Sequence, residues 1–407
     1  MAGPERRIVS STMVTTPVSS PSSEDGKGLA GKRMLILFPH LTTPGGAGNY
    51  AIQLAGVLAV HGATVGILTL RLDPTKYAPP AGVEMITING PVTSSMMYWL
   101  LLPYWQMRIH RKITAWRPDV LLPQVFPSNW WGWFYKRLHQ SPRVVWVCQE
   151  PSAFIHSPAW IEALVPFWKR YLAVVLRPLL SRVDLYLSSF CDAVAANSQY
   201  TAGQVENVYG VTPDAIAYPA IDVSVFYPGV TEGRTGIVTV AKLTRFKRVD
   251  FLMRVFALVL QQHPGLTYHI VGRGEELEAL KSLAAELGIV PQVVFHSNLD
   301  NEELAELHRR SLLFLHGSVE EPFGMAPLEA IACGTPAIAH RSGGPKEFIS
   351  DGCGRLIDSL SEDEWCDQIC RFLEMLRSNR SYFEHVAECA QEYTWDKTLL
   401  PIVTLAG

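Results

Sequence analysis

Short apolar runs alternate with helical patterns twice over in this chain, and that alternation constrains its fold more than any other feature. Met34–Phe38 has the length and content of a buried parallel strand. A glycine-rich loop, Thr43-Pro-Gly-Gly-Ala-Gly-Asn49, follows it, then a helical pattern over Tyr50–His61, a stop at Gly62 and a second strand over Thr64–Leu70. A strand–loop–helix–strand unit of this kind opens a doubly wound sheet. Further buried strands are predicted at Val120–Leu122, Val144–Cys148 and Ala193–Asn197. After a proline-bearing linker, Tyr218-Pro-Ala-Ile-Asp222 through Val225-Phe-Tyr-Pro-Gly229, the alternation starts again. Strands are predicted at Gly236–Ala241, Thr267–Val271, Val293–His296, Leu312–His316 and Pro336–His340. Helices are predicted at Asp250–His263, Glu275–Leu287, Glu302–Arg310 and Pro327–Cys333, and again after Ser361. The expected fold class is α/β: two Rossmann-like, doubly wound parallel-sheet domains facing a cleft.

The expected organisation is a disordered Ser/Thr/Pro-rich tail over residues 1–31 and a first domain over 32–222. A second domain follows over 223–385, and a helix over 386–407 returns to the first domain. With 407 residues, 48% hydrophobic and net charge −3, the bulk of the chain is too apolar and too weakly charged to be disordered. The balance also lacks the basic excess of a nucleic-acid partner. Arg6 and Arg7 precede no apolar leader core, and Met96–Met107, with Pro103 inside it, is too short to span a bilayer. Seven scattered cysteines, an odd number, fit a reducing cytoplasm. Cys366 and Cys370 lie one helical turn apart with no partner His pair, so packing is expected there and no metal.

Charge is uneven along the chain. Between Trp99 and Arg182, 11 Lys and Arg face three acids, and nine of the 11 tryptophans fall in the same stretch. Tryptophan and tyrosine interleaved with basic residues are the composition of a surface that meets an anionic membrane. The competing reading is an aromatic core with a solvated basic rim. On the first reading Met96–Lys112 and Trp160–Arg182 lie in the interface plane, and the protein sits peripherally on the cytoplasmic face of a membrane.

The stretch richest in chemistry is Gly317-Ser-Val-Glu-Glu-Pro-Phe-Gly-Met-Ala-Pro-Leu-Glu-Ala-Ile-Ala-Cys-Gly-Thr-Pro336. A strand is predicted to end near His316, and a loop carries Glu320 and Glu321. A short helix then begins near Pro327, a favourable first helical residue, and stops at Gly334. The amides around Phe323, Gly324, Met325 and Ala326 then form an anion site at a helix start. Glu321 and Glu329, eight residues apart, are suited to gripping vicinal sugar hydroxyls.

This stretch resembles the signature of the retaining glycosyltransferases of family 4 (group 1), Glu, seven residues, Glu, within E-x-F-G-x-x-x-x-E-A-x-A-x-G-x-P. Glu321, Phe323, Gly324, Glu329, Ala330, Ala332, Gly334 and Pro336 all match. Val240-Ala-Lys-Leu-Thr-Arg-Phe-Lys-Arg-Val-Asp250 is similar to the family's G-R-L-x-x-x-K-G-x-D element. Ile270-Val-Gly-Arg-Gly274 is similar to its I-V-G-x-G turn, and Ser342-Gly-Gly-Pro-Lys-Glu347 to its G-G-x-x-E. Ala196-Asn-Ser198 and Tyr218-Pro-Ala-Ile-Asp222 fit the segment entering the linker, so the resemblance spans nearly all of residues 34–397.

The resemblance implies a GT-B enzyme that moves a hexose of the mannose or glucose type from a nucleotide diphosphate sugar with retention. It needs no metal and no cofactor beyond that co-substrate. The family's catalytic positions fall on Glu321, Lys247 and Lys242. Two cations answer the negative charge that grows on the leaving diphosphate. Lys242 stands where the family has Arg and so lacks the bidentate fork, and Arg248 stands where it has Gly. Donor binding falls on Gly45, Gly46, Gly272, Arg273, Phe323, Gly324, Met325, Ala326 and Glu329. Val147-Cys-Gln-Glu-Pro-Ser-Ala-Phe154 is similar to an acceptor-side C-H-E-P-P-R loop and assigns Gln149, Glu150 and His156 to the acceptor. Gln149 replaces a histidine and cannot act as acid or base, which leaves the donor phosphate or His156 for that task. The expected partners are a nucleotide-sugar donor, a lipid-linked or glycan acceptor and an anionic membrane surface. Three alternatives stay open: a dinucleotide-binding dehydrogenase from Gly46-x-Gly48, a nucleotide-sugar epimerase, and a silent membrane-associated scaffold.

Overall fold

The computed structural model describes residues 29–43, 45–156, 167–229 and 232–407. By packing the chain divides into two units, one of residues up to Val144 with Leu187–Cys191, the other of Val145–Tyr186 with Asp192–Gly407.

In the first unit β1 (Arg33–Leu37) lies between β3 (Thr64–Thr69) and β6 (Val120–Pro123), and β5 (Val83–Thr87) closes the edge beyond β3. A two-residue pair, β2 (His40–Leu41) and β4 (Arg71–Leu72), stands apart. All of these pairings are parallel. Strand β7 (Arg143–Cys148) crosses the boundary between the units: Arg143 and Val144 pair with β6, and the rest of the strand with β8 (Ala193–Ala196). A short β9 (Ala215–Ile216) follows β8.

The second unit also carries an all-parallel six-stranded sheet of order β12-β11-β10-β13-β14-β15. Its strands are β10 (Ile237–Val240), β11 (Tyr268–Val271), β12 (Val293–His296), β13 (Leu313–His316), β14 (Ala337–His340) and β15 (Gly354–Ile357). Alternate residues of the inner strands enter opposite cores, as the pleat requires. Ile237, Leu313, Leu315 and Ile338 pack under the helices Val249–Gln262 and Glu362–Ser378, where Phe251 meets Trp365 edge-on. Val238, Phe314, Ala337 and Ala339 pack under the helix Met325–Ala332. The C-terminal helix Trp395–Ala406 packs on β8 and β9, and Thr398 donates to the Tyr218 carbonyl at 2.6 Å.

Several sequence expectations shift by a turn, for physical reasons. The first helix starts at Gly46 rather than Tyr50, so Gly46 and Gly48 belong to its first turn. Gly48 is needed there because a Cβ would fall 2.4 Å from the Tyr77 hydroxyl. Helix 325–332 starts two residues before Pro327, which becomes its third residue; a helix's first turn has no acceptor for those amides anyway, so the ring costs nothing. Strand β5 carries no apolar run, because it lies at the sheet edge, and its Glu84 accepts from the Trp116 indole at 2.8 Å. Of the nine clustered tryptophans, Trp116, Trp130, Trp131, Trp133 and Trp146 are core residues, so the core reading holds for them. Trp160 lies outside the described residues.

Among the described residues buried Arg234 has no carboxylate partner, but it ties several chain ends together. Its guanidinium donates to the carbonyls of Ser311 (3.1 Å) and Cys333 (3.0 Å) and to the Thr335 hydroxyl (2.7 Å), and stacks over Phe383. Cys333 caps helix 325–332, so Arg234 answers the negative end of that helix. Arg234→Met leaves those acceptors unpaired and is expected to cost about 3 kcal/mol, read as a lower urea midpoint at unchanged slope.

Candidate functional site

In an open parallel sheet, ligands bind beyond the carboxyl ends of the strands where the winding reverses. In the six-stranded sheet that point lies between β10 and β13. The segment leaving β10 holds Lys242 and a short 3-10 turn over Arg245–Lys247; the segment leaving β13 holds Ser318, Glu320 and Glu321. The sheet thereby brings together two charges 74 positions apart: Lys247 Nζ lies 2.5 Å from Glu321 Oε2.

Both partners are held by unusual backbone. Arg248, just after the lysine, has φ +51°, and Glu320, just before the glutamate, has φ +58°. The left-handed region costs an L-residue about 1–2 kcal/mol. It also accounts for the glycine that the family pattern has at this position, since glycine takes this conformation freely and Arg248 does not. The Glu321 loop is pressed against Gly343 and Gly344. Gly344 donates its amide to the Glu321 carbonyl at 2.8 Å, and a Cβ on Gly343 would lie 2.2 Å from that carbonyl oxygen. Gly272 serves the other side in the same way, since a Cβ there would meet the Ala241 carbonyl at 1.9 Å. Glu347, at the end of the Gly-Gly motif, accepts from the Gln199 and Tyr200 amides at 2.9 Å each and caps the helix Gln199–Tyr209. Ser198 donates to the Pro322 carbonyl at 2.6 Å, so the Glu321 loop is anchored from two sides.

Electrostatics single out four groups. Burial alone would raise the Glu321 carboxyl, but the Lys247 ammonium and His316 outweigh it and hold the group below the usual range. His316, the last residue of β13, is buried and pushed down to about 4, chiefly by desolvation. Its Nε2 has no hydrogen-bond partner and lies 3.8 Å from Glu321 Oε2. Glu329, in helix 325–332, is pushed up to about 7 by desolvation. Glu150 is open to solvent on one side; desolvation of its carboxyl and repulsion from Glu321 raise it, against the pull of Lys247.

The other sequence-derived residues divide clearly. Gly324 (φ +100°) precedes helix 325–332, and the amides of Met325 and Ala326 lie in its first turn, which offers them no acceptor. The Phe323 ring is core, packed among Tyr218, Phe348 and Tyr393, so only its backbone is available to a ligand. Lys242 and Arg273 are exposed, and Arg273 donates to the Ser297 carbonyl. Gln149 is buried beside Asn197. His156 Nε2 is held by buried Asp184 at 2.8 Å, within a cluster that includes Ser152 and Tyr209. Gly45 and Gly46 begin the first helix of the other unit. Sequence reasoning missed His316 and Asp184. For His316 a signal existed, a polar residue ending a buried strand just before the site loop; Asp184 sits inside a helix without a motif.

Comparison with known proteins bears on the family and the fold. The family described as Glycosyltransferase Family 4 matches residues 44–230, and the one described as Glycosyl transferases group 1 matches residues 226–386. The D-inositol 3-phosphate glycosyltransferase of Acidothermus cellulolyticus is 28% identical over 401 residues, covering 89% of this chain and 85% of the relative. The enzyme of the same name from Mycobacteroides abscessus is 28% identical over 99% of this chain and 89% of its own length. Sucrose-phosphate synthase from Thermosynechococcus elongatus superposes with a TM-score of 0.77 at 20% identity, covering 92% of this chain and 98% of that one. Anabaena HepE, solved with UDP and glucose, gives 0.70 at 19% identity with the same coverage. Two parallel sheets of this winding are those of the GT-B fold. The chain belongs to the family 4, group 1 glycosyltransferases.

Glu329 offers a test of the electrostatics. A carboxyl raised in the folded state binds more protons there than in the unfolded chain, so it favours folding below its unfolded pKa, and stability falls as pH climbs towards 7. Glu329→Gln is expected to remove that slope: denaturation at pH 8 should show a gain of up to about 3 kcal/mol, and at pH 4 almost none.

Proposed function

We propose that this glycosyltransferase moves a hexose from a nucleotide diphosphate carrier with retention of configuration and without a metal ion. The observation that carries the reading is the Lys247–Glu321 pair at the winding reversal, in front of the first turn of helix 325–332. Lys247 and the Met325 and Ala326 amides offer positive charge to a departing diphosphate, which is the work a metal does elsewhere. Lys242, exposed and on the same segment, is the second cation. Glu321 holds the donor sugar and Glu329 the ribose, through hydroxyls donating to their carboxylates. Gly272 and Arg273 complete the donor side, and the family pattern adds Gly45 and Gly46. The acceptor hydroxyl attacks on the face the diphosphate leaves, and the leaving phosphate takes its proton; His156, oriented by Asp184, is the alternative acceptor of that proton. We keep residues 32–222 as acceptor side and 223–385 as donor side.

UDP-sugars are the first donors to try, since HepE was solved with UDP, and GDP-sugars the second. With EDTA present, hydrolysis or transfer is expected to persist, and Lys247→Ala to lower turnover by about 10²–10³. Turnover within twofold of wild type for that variant removes Lys247 from the chemistry.

For the acceptor, two surfaces support a lipid-linked molecule at an anionic cytoplasmic membrane. Among the described residues no helix is long and apolar enough to cross a membrane. The helices Met96–Leu100 and Leu102–Trp116 nevertheless expose Met96, Met97, Leu100, Tyr104 and Met107 beside Arg108, Arg111 and Lys112. The helix Phe167–Ser188 exposes Tyr171, Val174, Val175 and Leu179 beside Arg170, Arg177 and Arg182. Apolar residues flanked by cations suit an interfacial position, and each basic residue near an anionic leaflet adds about 1 kcal/mol. Co-sedimentation is expected with anionic vesicles at low salt and not with neutral ones; equal, negligible binding to both sinks the membrane reading. A second acceptor, an inositol phosphate, is favoured by the names of the relatives and is tested in the same transfer assay.

A further inference from the structure

A buried polar atom without a partner is costly, and native structures rarely keep one without a use. His316 Nε2 is such an atom. It is buried at the carboxyl end of β13, 3.8 Å from the Glu321 oxygen that Lys247 already occupies. The imidazole is therefore held just beyond hydrogen-bond distance of a carboxylate that has a better partner.

We propose that His316 is a positioning residue for Glu321, taking over its carboxylate when Lys247 turns to the donor diphosphate. This rests on the donor-site reading given above. Lys247 cannot neutralise a diphosphate and Glu321 equally well with one ammonium group, so donor binding draws the lysine away. Glu321 would then stand in a nearly closed site, its side chain only 17% exposed, with a charge that the Ser318 hydroxyl alone is left to meet. Such a group is costly in a site closed to water. His316 Nε2–H, less than 1 Å beyond ordinary hydrogen-bond length, meets that need with a small movement. Glu321 thus stays ionised and aimed while its first partner is in use elsewhere. The contact is also why Glu321 can be released to face a sugar without swinging out of register. The charged groups facing His316 are Glu321 and Lys247, on two different segments, so both halves of the exchange are within its reach.

Calorimetric titration with UDP, GDP and ADP tests the proposal on the wild type, His316→Leu and His316→Gln. His316→Leu is expected to weaken the nucleotide the wild type binds by at least about fivefold, because it leaves Glu321 with the Ser318 hydroxyl alone in the complex. His316→Gln keeps an N–H donor and is expected to bind within about twofold of wild type. In the free protein Lys247 already satisfies Glu321, so His316→Leu should cost more stability in a Lys247→Met background than alone; a merely structural histidine would cost the same in both. Binding by His316→Leu equal to wild type overturns the proposal, as does a glutamine variant as weak as the leucine one. Should His316→Leu fail to fold, His316→Met takes its place in the comparison. A wild type that binds none of the three nucleotides removes the donor-site reading itself, and the role of His316 with it.

Discussion

One ammonium group and one carboxylate, Lys247 and Glu321, set the terms for the rest of the second unit. They come from different strands, and only a sheet that winds outward in both directions from β10 and β13 brings those strand ends side by side. The pair is partly withdrawn from water, where a charge without a partner is expensive. Much of the neighbouring structure therefore serves to hold it. The Gly343–Gly344 crossing presses on one side of the glutamate loop, Ser198 holds the Pro322 carbonyl, and a left-handed residue sits beside each charged side chain.

Unusual backbone and displaced titratable groups meet in this one region. Among the described residues four non-glycine positions have positive φ, and two of them flank the pair. Two further titratable groups, His316 and Glu329, are displaced from their usual pKa ranges by desolvation, the histidine downwards and the carboxyl upwards. A chain selected for stability alone would have apolar residues there.

How much of this was legible in the sequence depends on whether the signal was local. The strand Met34–Phe38 was readable because burial on both faces writes itself into a few adjacent residues, and Val293–His296 because it keeps a short apolar run although it lies at a sheet edge. Edge strand β5 was not, because an edge strand needs no continuous apolar run. The Glu321 and Glu329 spacing was legible through a known pattern, whereas the partner of His156 was not, since Asp184 lies 28 residues away and is brought in by tertiary packing. The tryptophan cluster was visible, but composition does not say which face of a helix is covered. Trp131 and Trp133 went to the core while Met97 and Leu100 stayed outside.

The cap that Glu347 places on helix 199–209 has a bearing on selectivity. A helix start attracts any anion of suitable size, and a diphosphate does not distinguish one such terminus from another. Two helix starts are tied to the Glu321 loop, at Ser198 and at Gly324. At the first, the protein's own carboxylate already takes the Gln199 and Tyr200 amides. An incoming phosphate would have to compete with a tethered anion present at high effective concentration. The second, at Met325 and Ala326, carries no such internal competitor among the hydrogen bonds of its first turn. Glu347 therefore fills one of two similar helix starts with the protein's own carboxylate and leaves the other without an internal anion.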